Sequence, residues 1–184
     1  MLKDIKPWTL FMPSSTGWIE AARALYGEKL ISFDRYSFST ACLSMEHLEK
    51  LCQGSKFSKD VKQMDASLIA RVWGQDHFID VSDFESPADF IGRGIGYCVE
   101  KSGKIIGAAY SSLVCSKGIE ISIFVLDDYR RQGIATTLAA HLVKWCLENN
   151  MEPHWDAANP ESCKLAAKLG YIPTGKYQAY YLEA

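Results

Sequence analysis

The chain has 184 residues, of which 48% are hydrophobic and 23% charged, with a formal net charge of −2. That balance is globular, and the length suits one ordinary domain or one domain with a partial second. The slightly acidic total and the lack of a lysine–arginine block disfavour a nucleic-acid partner, and no stretch is long or apolar enough to span a bilayer.

The N-terminal MLKDIKPWTLF is too short an apolar run for a signal peptide. Cys42, Cys52, Cys98, Cys115, Cys146 and Cys163 lie far apart without a CxxC pair, so no metal site is expected. Cys98, Cys115 and Cys146 fall inside apolar strand or helix patterns, which predicts buried free thiols and a reducing cytoplasm.

Trp18, Ile19, Ala22, Leu25 and Tyr26 form a helical stripe between a Ser14-Ser15-Thr16 cap and a Gly27 stop. Ile31 to Ser39 alternates as a strand. Ser44 opens a helix with Leu48 and Leu51 on its apolar side, and Lys56 to Asp60 reads as a charged connection. Met64 to Trp73 fits helix or strand. Within Asp76 to Gly94, Ser86-Pro87 with Asp89 marks a helix start and Gly92-Arg93-Gly94 its end. The run Gly92-x-Gly94-x-Gly96 precedes a strand instead of following one, so it reads as a turn and not as a dinucleotide loop.

Gly96 to Glu100 and Ile105 to Ser111 form an expected hairpin around a four-residue connection, Lys101 to Lys104. A second loop, Cys115 to Gly118, leads into the central stretch from Ile119 to Ala140. There Ile119, Ile121, Ile123 and Val125 alternate with Glu120, Ser122 and Phe124, the two-residue period of a strand. Asp127-Asp128 breaks it, Arg130-Arg131-Gln132-Gly133-Ile134-Ala135 follows, and a helix then runs to about Asn149. Pro153 to Ala157 returns as a strand, so the strand–helix–strand unit favours a parallel pair. Asn159 caps a helix beginning at Pro160, Gly170 ends it, and Tyr171-Ile172 and Tyr177 to Leu182 supply the last strands.

A strand feeding a helix through a small-residue turn leaves backbone N–H groups unpaired, with the positive end of the helix dipole behind them. Gly133 and Ala135 admit a bulky anion, and two arginines add forked donors. The junction therefore points to a phosphate.

Arg130-x-x-Gly133-x-Ala135, the run His154-Trp155-Asp156-Ala157 with Asn159, and Leu165 to Tyr171 in that order resemble the GNAT (GCN5-related) N-acetyltransferases. WDAxN followed by a serine and LAxKLGY resemble the zwittermicin-resistance-like branch. The resemblance covers about Asp89 to Leu182. It implies an α/β fold of the α+β type: a mixed central sheet with a splayed parallel strand pair and flanking helices. Residues 76–184 would be the acetyltransferase core. Residues 1–75 would be a shorter N-terminal α/β region, its first part absent relative to that branch, serving structure, dimerisation or substrate binding.

The same resemblance implies acetyl-CoA as co-substrate and a primary amine on a small molecule as acceptor, attacked directly in a ternary complex by a monomer or homodimer. Backbone N–H groups of Arg131, Gln132, Gly133, Ile134, Ala135 and Thr136 would grip the pyrophosphate of coenzyme A, helped by the Arg130 side chain and the Thr136 hydroxyl. The backbone of Phe124, Val125 and Leu126 would pair with pantetheine. Asn159 would bond the cofactor arm, cap its helix, or do both.

Glu120 stands near where many members place a general base, and equally fits a solvated strand residue. Many members carry a general-acid tyrosine four residues before the glycine of the KLGY-type turn, a position held here by Ala166. Ser162 is the first substitute and Tyr171 the second, its ring better suited to the core. Asp156 fits either orientation of the amine or capping of nearby backbone, and His141 and His154 read as structural. A non-catalytic acyl-CoA sensor and a protein or peptide N-acetyltransferase are the alternatives.

Overall fold

A computed structural model describes residues 6–75, 81 and 83–183. The elements are β1 (Leu10–Phe11), α1 (Thr16–Tyr26), β2 (Leu30–Ser39), α2 (Met45–Gln53), β3 (Val61–Gln63), α3 (Ala66–Val72) and α4 (Pro87–Arg93). There follow β4 (Gly96–Lys101), β5 (Lys104–Val114), β6 (Gly118–Val125), α5 (Ile134–Glu148), β7 (Glu152–His154), β8 (Asp156–Ala157), α6 (Pro160–Leu169) and β9 (Ile172–Leu182). No helix among the described residues is long and apolar enough to cross a membrane.

Two sheets share the chain, ordered β3-β4-β5-β6-β7 and β1-β9-β2-β8. Both draw strands from either side of residue 75: β3 pairs β4, and β2 pairs β9 along its whole length. Ile134, Leu138, Leu142 and Cys146 recur every fourth residue on α5 and pack with Val99, Ile106, Ala109 and Ile119. Leu68, Ile69, Val72 and Phe90 of α3 and α4 cover Cys98, Ala108 and Tyr110. With helices on both faces, β5 is buried from Ile105 to Ser112, an apolar and small-residue run without clear alternation.

The pair β6–β7 is parallel and short. Its register runs Gly118↔Glu152, Ile119↔Pro153, Glu120↔His154. At Trp155 the chain leaves this sheet, and β8 pairs antiparallel with β2 in the other. Beyond Glu120, β6 therefore diverges from its parallel neighbour, and a fork opens between the sheets. Trp155 explains the departure: its ring is buried against Tyr171, 5.3 Å between centroids, and its Nε1 donates to Ser162 Oγ at 3.2 Å.

Several local expectations change. The stretch Met64 to Trp73 resolves into a helix capped by Asp65, which accepts the Leu68 N–H at 2.9 Å. The hairpin turns through two residues, Ser102 and Gly103, both at positive φ (51° and 76°), which matches strand twist better than a longer loop. Pro153 to Ala157 is two strands in two sheets, while Ile172 to Leu182 is one continuous strand. Cys115 is exposed, because β5 ends at Val114 and the apolar run spills into a loop; Cys98 and Cys146 are buried. The start of the Asp76 to Gly94 run lies outside the described residues.

Candidate active site

The loop before α5 is built by two left-handed residues, Arg131 at φ 58° and Gly133 at φ 89°. A Cβ at Gly133 would meet only Ser55 Oγ at 3.8 Å, so glycine is required there by backbone conformation, not by space. The first backbone acceptor inside the helix start is Gly133 O, taken by Thr137 N–H at 3.0 Å. Among the described residues, the N–H groups of Arg131 to Thr136 donate to no protein acceptor. That row of donors at a fifteen-residue helix fits an anionic pyrophosphate.

Side chains around the loop are partly engaged. Arg130 Nε donates to Val125 O at 3.2 Å, and its guanidinium pairs with Asp127 at 2.9 Å. Lys56, from the connection after α2, reaches Gln132 Oε1 at 3.2 Å. The charge of the Lys56 to Asp60 segment was legible, but its approach to this loop was not, since it requires α2 to lie along α5.

Backbone alternation separates the three residues expected to meet pantetheine. Leu126 N–H donates to Ile106 O at 2.9 Å, and Leu126 O accepts from Tyr129 N–H at 2.8 Å. In the antiparallel ladder Ala108↔Phe124, Phe124 points its backbone the same way, toward β5. Of Phe124, Val125 and Leu126, only Val125 turns its backbone to the fork, together with Ile123. The Phe124 ring packs on the core under α3 and α4.

At the inner end of the fork stands Glu120. The ladder between β5 and β6 shifts register between Ser111 and Leu113, leaving Ser112 bulged beside Glu120, with Ser112 Oγ donating to Glu120 O at 3.3 Å. Glu120 Oε2 lies 2.8 Å from His154 Nδ1, and the two side chains are 24% and 59% exposed. Burial pushes the Glu120 carboxyl above the usual range, against the hydrogen bond and charge of His154 that pull it down. Asp156 adds to the upward push and Arg35 opposes it.

Asp156 is held from the other sheet. Its Oδ2 accepts from Arg35 Nε at 3.0 Å and from Tyr177 Oη at 2.7 Å, while Oδ1 is buried without a partner among the described residues. Asp156 thus ties β8 to β2 and β9. Tyr177 is pushed up to about 12 by burial and this bond.

Asn159 Oδ1 accepts the Ser162 N–H at 2.9 Å and caps α6, with its amide Nδ2 unpartnered among the described residues. Ser162 Oγ accepts from Trp155, so its own proton has no described acceptor. Tyr171 is buried and donates to Pro153 O at 2.8 Å, and Ala166 is fully buried. His141 is structural in position, beside Tyr97 at 5.6 Å, though its buried Nε2 has no partner among the described residues. It lines a hollow between α2 and α5 with Glu49, Cys52, Lys59 and Lys144, a set that does not include the fork residues.

A family model described as GNAT acetyltransferase matches residues 2–180. An uncharacterized N-acetyltransferase, YdfB of Bacillus subtilis (strain 168), is 27% identical over 182 residues, 98% of this chain and 68% of the relative. The crystal structure of a GCN5-related N-acetyltransferase-like protein from Streptococcus suis 89/1591 superposes with TM-score 0.85 at 30% identity, over 95% of this chain and 71% of that one. The aminoglycoside N-acetyltransferase AAC(6')-Iy in complex with CoA shares the fold at TM-score 0.50 and 22% identity, over 63% of this chain and 93% of that one. A forked parallel pair, a donor-lined helix start and a match along nearly the whole sequence agree: the chain belongs to the GNAT acetyltransferase family.

Proposed function

We propose that the chain transfers an acetyl group from acetyl-CoA to a primary amine of a small molecule, by direct attack in a ternary complex. The observation that carries this reading is the fork itself, with the free N–H row of Arg131 to Thr136 at one end and the Glu120 carboxylate at the other. A neighbour of this fold, the aminoglycoside N-acetyltransferase, is described in complex with CoA, which supports coenzyme A as the ligand of this chain. The WDAxN and LAxKLGY motifs favour the zwittermicin-resistance-like branch, and six free thiols suit a reducing cytoplasm.

Acetyl-CoA, when bound, supplies the thioester carbonyl. Arg131 to Thr136 hold the pyrophosphate through backbone donors, with Lys56 and Arg130 adding charge. Val125 N–H and the backbone of Ile123 line the fork for pantetheine amides, and Asn159 Nδ2 is free for the same arm. Glu120 takes the proton of the acceptor ammonium, a task suited to a carboxyl raised by burial. Ser162 retains a hydroxyl proton for the departing sulfur.

Ala166 at the usual acid position supports a second reading, a non-catalytic acyl-CoA sensor. Calorimetric titration with acetyl-CoA and CoA, followed by thiol release across an amine panel, separates the two. Binding with thiol release supports transfer, and binding without release to any amine supports the sensor. Wild-type affinity in a folded Arg130→Ala/Gly133→Asp double variant would sink the proposed loop.

A further inference from the structure

We propose that His154 is a positioning residue for the Glu120 base, fixing one carboxylate oxygen at the inner end of the fork so that the other receives the amine proton. The inference rests on the reading of Glu120 given above.

The parallel register Glu120↔His154 is the last rung before the strands part, so both side chains leave the same face side by side. His154 Nδ1 is 2.8 Å from Glu120 Oε2. An ionised carboxylate only accepts hydrogen bonds, so against ionised Glu120 the shared proton sits on Nδ1 of His154. Oε1 has no partner among the described residues. The pair is polarised in exposure as well, with the imidazole toward solvent and the carboxylate more sheltered.

The other charged groups that bear on Glu120 are Asp156 on β8 and Arg35 on β2, and these neutralise each other through their own bond. His154 is the group left to set the carboxylate's orientation. In the transfer, an ammonium N–H bond breaks, an O–H bond forms at Oε1, and nitrogen keeps the electron pair that attacks. The proton then leaves Oε1 to water. Throughout, Nδ1–H stays on Oε2 and keeps the carboxylate from rotating into the ladder.

The test uses the full chain labelled with ¹³C-glutamate, following the Glu120 carboxyl against pH in wild type, His154→Ala and His154→Asn, with Glu120→Gln to assign the resonance. Loss of the donor is expected to move the Glu120 midpoint to higher pH in His154→Ala. Asparagine, whose amide nitrogen mimics Nδ1, should bring it part of the way back. In thiol release, His154→Ala should lower kcat by about tenfold to a hundredfold with the KM for acetyl-CoA unchanged, the scale of a misplaced reacting group. An unmoved or lowered midpoint in folded His154→Ala overturns the positioning role. Undiminished turnover in Glu120→Gln instead overturns the base, whatever the titration shows.

Discussion

Arg35 and Asp156 stand 121 residues apart in the chain and 2.9 Å apart in the fold. Their side chains are 16% and 7% exposed, and Arg35 also donates to the Asp156 carbonyl at 3.0 Å. Replacing Arg35 by alanine strands a buried carboxylate whose remaining partner is Tyr177. Breaking such a pair costs about 3–5 kcal/mol. Urea unfolding should show that loss, and Arg35→Ala/Asp156→Ala should lose less than the sum of the single variants.

Asn159 allows capping and ligand binding to be separated. Asn159→Asp keeps an oxygen for the Ser162 N–H but removes the amide donor, so stability should hold while acetyl-CoA affinity falls. Asn159→Ala removes both and should also cost about 1 kcal/mol of stability. Calorimetry beside thermal unfolding reads the two effects. Equal affinity in all three proteins would leave Asn159 with a cap and nothing else.

Gly107 and Gly133 set the loop from opposite sides. A Cβ at Gly107 would lie 2.9 Å from Ile134 Cγ2 and 3.2 Å from Phe124 O, pressing on the first residue of α5. Gly107→Ala should destabilise by about 1–3 kcal/mol through overpacking. Gly133→Ala has room but keeps φ near 89°, costing about 1–2 kcal/mol. Both should weaken acetyl-CoA binding, measured by titration on samples shown to be folded.

Stability should also carry the signature of Glu120. Its carboxyl is raised in the fold, chiefly by burial, relative to the unfolded chain. A raised carboxyl favours folding below the unfolded pKa, and that contribution disappears as pH rises through the folded one. Glu120→Gln cannot ionise, so its stability relative to wild type should improve from about pH 4 to about pH 8. Denaturation curves at the two ends decide it, and a difference that falls with pH would contradict the assignment.

Thiol chemistry should divide the cysteines. Burial pushes Cys52 and Cys98 up to about 11 and Cys146 up to about 12, so these remain unreactive thiols near neutral pH. Exposed Cys42 and Cys115 should react first with a chromogenic disulfide, and the buried three only on unfolding.

Local chemistry was the legible part of the sequence. Gly133, the Ser44, Ser86 and Asn159 caps, and the alternation of Ile119 to Val125 each act within a few residues, and each stands where its chemistry places it. What pairing creates was not legible. His154 reads as structural until the parallel register sets it against Glu120, and the bulge at Ser112 leaves no mark in composition. Lys56 reaches Gln132 across 76 positions, and Arg35 reaches Asp156 across 121. The alternation of Phe124 to Leu126 was visible, but which way their amides faced depended on the partner at Ile106.

The two tines of the fork belong to different sheets, since the chain changes allegiance at Trp155 between His154 and Asp156. The width of the gap is therefore held as much by the strand at Leu30–Ser39 as by the tines themselves. Substitutions on that distant strand would adjust the aperture like a screw on a clamp, altering which acceptors fit while every residue that touches them stays the same.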